Sequence, residues 1–167
     1  MSAEDPDELR TIVTDEQVLL CSAEAQAQME DLVAVDPGAA SLLWRAGLLA
    51  LCRSDGITEA FDLLADDATL NRRPGRRVLT GFEPRDLAVA RIRAGRQPDD
   101  EEATFVHAVL ALFGGRADEA DHAITRSARH MPSWDRRTRA QHLTDLIEVR
   151  PDLTDGLVRL RALTGRT

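Results

Sequence analysis

"LALFGGRADEADHAITRSARHMP", Leu110 to Pro132, is the stretch on which the fold class turns. An apolar, helix-like run meets Gly114-Gly115, and a second run carries Ala117, Ala120 and Ala128 before stopping at Pro132. Two helical runs joined by so short a break predict an antiparallel hairpin. Upstream, the acidic quartet Asp99–Glu102 follows Pro98 and complements the positive end of the first helix. That helix carries Phe105, Val106, Val109, Leu110, Leu112 and Phe113 to the glycines. Past Pro132, Ser133 caps a run to about Val149. Pro151 then starts a last helix with Leu153, Leu157, Leu160 and Leu163 on its inner face.

The same period extends toward the N-terminus. Residues 1–13 are acidic and read as a frayed start. Thr14-Asp15-Glu16-Gln17 has the form of a capping box, followed by one stripe of Val18, Cys21, Ala25, Met29 and Leu32. The helix stops near Val35, and Asp36-Pro37 offers a cap and a first-turn proline for the next. "AASLLWRAGLLALC" is apolar on nearly every face, which places it at the centre of the fold. After "RSDG", Ile57, Ala60, Phe61, Leu64 and Ala68 share one side of a further helix. Residues 70–82, "LNRRPGRRVLTGF", show no helical period and read as a basic loop with a short extended piece at Arg77–Thr80. Pro84 begins a helix through Arg93 that Gly95 closes. The expectation is a single all-α domain over residues 1–167 with about eight helices and no strand.

Composition narrows the chemistry. With four Phe, two Trp and no Tyr, the core has to be built from Leu, Val, Ile and Ala, which suits close-packed helices. All 21 basic residues are arginine. The missing lysine excludes a Schiff-base or phosphate-loop lysine. Charge is unevenly spread: residues 1–70 hold 15 acids against three arginines, whereas residues 71–97 hold eight arginines against two acids. The overall charge of −8 opposes general nucleic-acid binding, although the basic island can act locally. Cys21 and Cys52 lack Cys-x-x-Cys spacing and read as buried reduced thiols. No run is long and apolar enough for a membrane span, and "MSAEDPDEL" lacks the basic and apolar regions of a signal peptide. These features predict a cytoplasmic protein.

The hairpin at residues 101–132 resembles a tetratricopeptide repeat. Taking Pro132 as the repeat's terminal proline puts Ala108 and Ala120 on its small positions and Ile124 on the large apolar position of its second helix. Thr104 and Ala111 stand where the family has aromatics. Residues 41–72 echo the unit: Leu49–Leu51 matches Leu110–Leu112, Glu59-Ala60 matches Glu119-Ala120, and Trp44 lies near the aromatic position. The copies are about sixty residues apart, against ~34 for tandem repeats. A repeat-like scaffold and an irregular helical bundle both remain open.

Candidate chemistry is sparse. "NRRPGRR" sets Arg72, Arg73, Arg76 and Arg77 around a Pro-Gly turn, suited to bidentate contacts with carboxylates or phosphates, or to pairing with the chain's own acids. No aromatic is interleaved there to stack bases. His107, His122, His130 and His142 include no His-x-x-x-His pair, so no metal site and no cofactor is expected. There is no Gly-x-Ser-x-Gly and no glycine-rich phosphate loop. Trp134, beside Arg136 and Arg137, is either a clamp on the preceding hairpin or a partner anchor. The function expected is a non-catalytic adaptor that docks a protein segment, acidic in character, between its hairpins. The proposed contacts are Arg72, Arg73, Arg76, Arg77 and Trp134, and a second copy of the chain is a further candidate partner. The alternatives are a nucleic-acid-binding or regulatory protein using the arginine segment, and a small enzyme with a dispersed site.

Overall fold

The structure, a computed structural model, describes residues 5–72 and 75–165, and of Arg76 the backbone alone. The chain is all-α. Among the described residues it has twelve α-helices and no strand: α1 (Pro6–Asp15), α2 (Gln17–Leu20), α3 (Ala23–Val35), α4 (Ala40–Asp55), α5 (Ile57–Ala65), α6 (Asp67–Leu70), α7 (Arg76–Thr80), α8 (Pro84–Arg96), α9 (Glu101–Phe113), α10 (Ala117–His130), α11 (Ser133–Val149) and α12 (Thr154–Thr164). A 3₁₀ turn, Pro151–Leu153, precedes α12.

The excess over about eight helices comes from short pieces that periodicity does not register. The segment expected to fray holds α1, because Asp5 accepts a bond from the Asp7 N–H and Pro6 sits at the first helical position. Thr14 caps nothing: its hydroxyl bonds back to the Arg10 carbonyl. The true cap is Ser22, which accepts from Ala25 N–H and starts α3 eight residues later than the expected box. The predicted stripe is broken accordingly, with Val18 94% exposed and Leu32 half out. Asp36-Pro37 lies in the turn before α4, not in its first turn. The extended piece expected at Arg77–Thr80 is the helix α7.

The opening stretch folds as two packed helices, α9 and α10. Ser127 Oγ donates to the Glu101 carbonyl, and His107 meets Glu119, so the start of one helix lies beside the end of the other. At the turn Gly115 takes φ 75°, and Arg116 N–H reaches back to the Ala111 carbonyl at 2.8 Å. Only glycine holds that left-handed conformation cheaply, which explains Gly115. α4 does lie at the centre, burying Leu43, Ala46, Leu48, Leu51 and Cys52. Its main neighbour, however, is α8 and not the sequence-adjacent α5. The two run antiparallel: a Cβ at Gly47 would stand 2.4 Å from the Ala88 carbonyl, and one at Gly95 would stand 2.6 Å from that of Ala40. Gly95 therefore serves a close helix crossing inside α8 and does not end it.

α8 is the shared wall of the molecule. Leu87 and Ala90 pack with Phe105, Leu110, Ile124, Leu143 and Leu157 in one core. Ala88 and Ile92 pack with Leu48, Leu51, Phe61 and Leu64 in another. Each fully buried Leu, Ile or Phe contributes about 1.5–3 kcal/mol, so two cores of this size need a helix apolar on both flanks. Cys52 is buried and Cys21 half-buried against the second core, both as free thiols. Trp44 is partly buried on the same core.

Candidate functional site

The least expected feature is a buried ionic network on α8. Arg91, 2% exposed, donates through Nε and Nη2 to the two Glu119 oxygens, each at 2.7 Å. It also reaches Glu30 from Nη1 at 2.5 Å and Nη2 at 2.8 Å. Arg116 adds a 2.9 Å contact to Glu30 and a 3.4 Å contact to Glu119. His107 Nε2 lies 2.8 Å from Glu119 Oε1, and an ionised carboxylate can only accept, so the imidazole N–H is the donor. Burial alone would raise the Glu119 carboxyl. The bonds from Arg91 and His107 outweigh burial and hold it far below the usual carboxylate range. Burial likewise opposes the charge on Arg91, and its bonds to Glu119 and Glu30 overturn that, raising the guanidinium further. The network ties α3, α8, α9 and α10 together. Its polar groups satisfy one another, which is the arrangement of a structural device.

Above this network lies a cleft of about 540 Å³, lined by Gln26, Glu30, Arg53, Ser54, Phe82, Arg85 and Arg91 among others. Its cations are already engaged: Arg53 donates to Gln26 at 2.6 Å and Arg85 to Asp55 at 2.6 Å. On the other side of the molecule, α9 and α11 part around an apolar groove of about 350 Å³. Leu79 from α7, Phe105, Val106, Val109 and Leu110 from α9, and Leu146 and Val149 from α11 line it. Glu102, Arg139, His142 and Asp145 form its polar edge. Arg139 stacks its guanidinium 4.9 Å from the Phe105 ring centre and bonds Glu101 at 2.9 Å, which holds the lip in place. At that lip burial pushes the Glu101 carboxyl up, with Arg139 opposing and Asp135 adding to the rise.

The arginine segment sits beside this groove. Arg73 lies outside the described residues, as does the side chain of Arg76. Arg72 is exposed. Arg77 contacts Glu83 at 3.0 Å and Asp86 at 3.5 Å, so part of the island's charge is spent on the next helix and not on the acidic N-terminal third. Trp134 is 72% exposed, which removes the reading of it as a buried clamp. The structure does not gather Trp134 into the groove lining. Of the histidines, His107 is buried in the network, while His122 is exposed and bonds the Asp118 carbonyl. Among the described residues no three His, Cys, Asp or Glu side chains are arranged to hold a metal ion.

Sequence reading singled out His107 only as a histidine without a metal partner, and missed its network with Arg91, Glu119 and Glu30. The signal was present: His107 interrupts an otherwise apolar helix face, and Glu119 stands one residue before the close-packing Ala120. Charge alone could not say that these residues turn inward together. No helix among the described residues is long and apolar enough to cross a membrane. Comparison with protein-family models, curated proteins and solved structures finds no match for this chain.

Proposed function

We propose that the chain is a non-catalytic docking module that seats an acidic, amphipathic segment of a partner protein in the groove between α9 and α11. The observation that carries this reading is the contrast between the two depressions. The larger cleft has its cations already engaged, whereas the groove offers apolar side chains from three helices with polar groups only at its edge. An amphipathic segment would gain by covering Val149, 42% exposed, with half-buried Val106 and Leu79 beside it. Acidic residues beside its apolar anchors would meet exposed Arg72 on the neighbouring flank. Free thiols at Cys21 and Cys52 suit a reducing, cytoplasmic setting. The antiparallel α9–α10 pair is the part of the scaffold closest to a tetratricopeptide unit.

Selection of displayed helical peptides against the chain tests the proposal. Enriched peptides are expected to carry acidic residues next to apolar anchors three or four apart. Their binding should fall about tenfold or more in Val149→Glu, which puts a charge where an anchor would be buried. Peptides that bind Val149→Glu as tightly as the parent would refute the assignment. So would self-association through this groove, seen as a dimer by sedimentation that Val149→Glu dissolves.

A further inference from the structure

Beside the docking groove, and sharing Val106 and Leu110 with it, lies a further cavity of about 250 Å³; from α7, Leu79 lines the groove and Val78 the cavity. Four arginines line this cavity, Arg72, Arg77, Arg85 and Arg93, against one carboxylate, Asp86. Asp86 is already committed, accepting the Glu83 N–H at 3.0 Å and contacting Arg77. Arg85 is committed to Asp55. Arg93 differs from both. It is 6% exposed, and its one ion-pair contact, Nη2 to Glu102, spans 3.8 Å, beyond hydrogen-bond reach. Its Nε and Nη1 are buried and have no hydrogen-bond partner among the described residues.

Two residues earlier on the same helix, Arg91 shows what a buried guanidinium ordinarily requires, with all three nitrogens on carboxylate oxygens. Leaving charged donors buried and unmet is among the costlier arrangements in a fold, and it singles Arg93 out. We infer that the cavity beneath α7 is an oxyanion site and that Arg93 binds a phosphate group there, with Arg72 at its mouth. Phosphate fits better than a carboxylate. The guanidinium groups not held by a carboxylate come from two elements, Arg72 from the segment after α6 and Arg93 from α8, hence from different sides. A tetrahedral dianion can meet donors on several sides, while one planar carboxylate serves one fork. Arg93 itself lines the cavity, so an anion seated there lies beside its unmet donors. The site stands on Arg93 and is independent of whether the neighbouring groove takes a partner.

Titration of the whole chain with inorganic phosphate, at ionic strength matched with sodium chloride, tests this by the arginine Nε–Hε resonances in nitrogen-proton spectra. The Arg93 resonance is expected to move saturably. Affinity should fall about tenfold or more in Arg93→Met, which keeps the buried stem but removes the donors, and severalfold in Arg72→Gln. Sodium acetate is expected to bind far more weakly. A phosphoserine-containing acidic peptide separates the sources: tighter binding than inorganic phosphate assigns the group to a protein chain, and equal or weaker binding assigns it to a small phosphate. An Arg93 resonance in the parent that phosphate leaves in place would overturn the inference, whatever Arg93→Met does to folding. So would acetate binding as tight as phosphate.

Discussion

Glu119→Gln is the most informative single substitution, because it alters one charge inside the network and little else. In the native protein Arg91 is gripped by two carboxylates, two bonds to each, and Glu119 also takes the His107 N–H. An amide there still offers one oxygen. Its NH₂ group must face an Arg91 donor in either orientation, and the His107 N–H as well in one of them, with water excluded at 3% side-chain exposure. Breaking a buried pair by removing one partner costs about 3–5 kcal/mol. The surviving Glu30 contact places Glu119→Gln at the low end, roughly 3 kcal/mol, a large part of the ~5–15 kcal/mol that holds a domain together. Glu30→Gln should cost less, about 1 kcal/mol, because its side chain is 23% exposed and water can substitute. Urea unfolding followed by far-ultraviolet circular dichroism measures both. The same network sets an acid limit. The folded Glu119 carboxyl lies below its unfolded value of about 4.3, so its contribution is complete above that pH and is lost as the pH falls toward the folded value. Glu119→Gln should flatten the loss of stability seen below about pH 5. A Glu119→Gln cost under about 1 kcal/mol, or a Glu30→Gln cost equal to it, would refute the reasoning.

Other expectations follow from the packing and the thiols. Gly47→Ala and Gly95→Ala each add a methyl that meets a carbonyl of the facing helix within 2.6 Å. The ~1 kcal/mol helix-propensity gain should be outweighed by overpacking of about 1–3 kcal/mol or more against rigid backbone, so net stabilisation in urea melts would disprove the close crossing. Ellman's reagent should modify half-buried Cys21 well before Cys52, whose thiol is pushed up to about 12 by burial and by Cys21 nearby. Equal rates in the folded protein would contradict that burial.

Local signals made the fold class readable. Gly114-Gly115, Pro132 and Pro151 mark helix ends through backbone geometry that acts within a few residues, and the Leu-Ala runs show their buried faces by period alone. The short helices α2, α6 and α7 were not readable, because four or five residues span barely one turn and their ends are set by capping and by what they pack against. Tertiary structure decided the rest. That α4 pairs with α8 depends on Gly47 and Gly95 facing Ala88 and Ala40, 41 and 55 positions away in the chain, a match no local period encodes. α8 itself carries four arginines in thirteen residues, yet it is the wall between two cores. Arg91 can sit there because Glu30 and Glu119, distant in sequence, bring oxygens to every nitrogen. Arg93 sits there without such partners. Residue types in order determined helices, turns and a core of small aliphatics; only the folded chain determined which charges are paired, which cavity an arginine leaves unsatisfied, and where a groove opens.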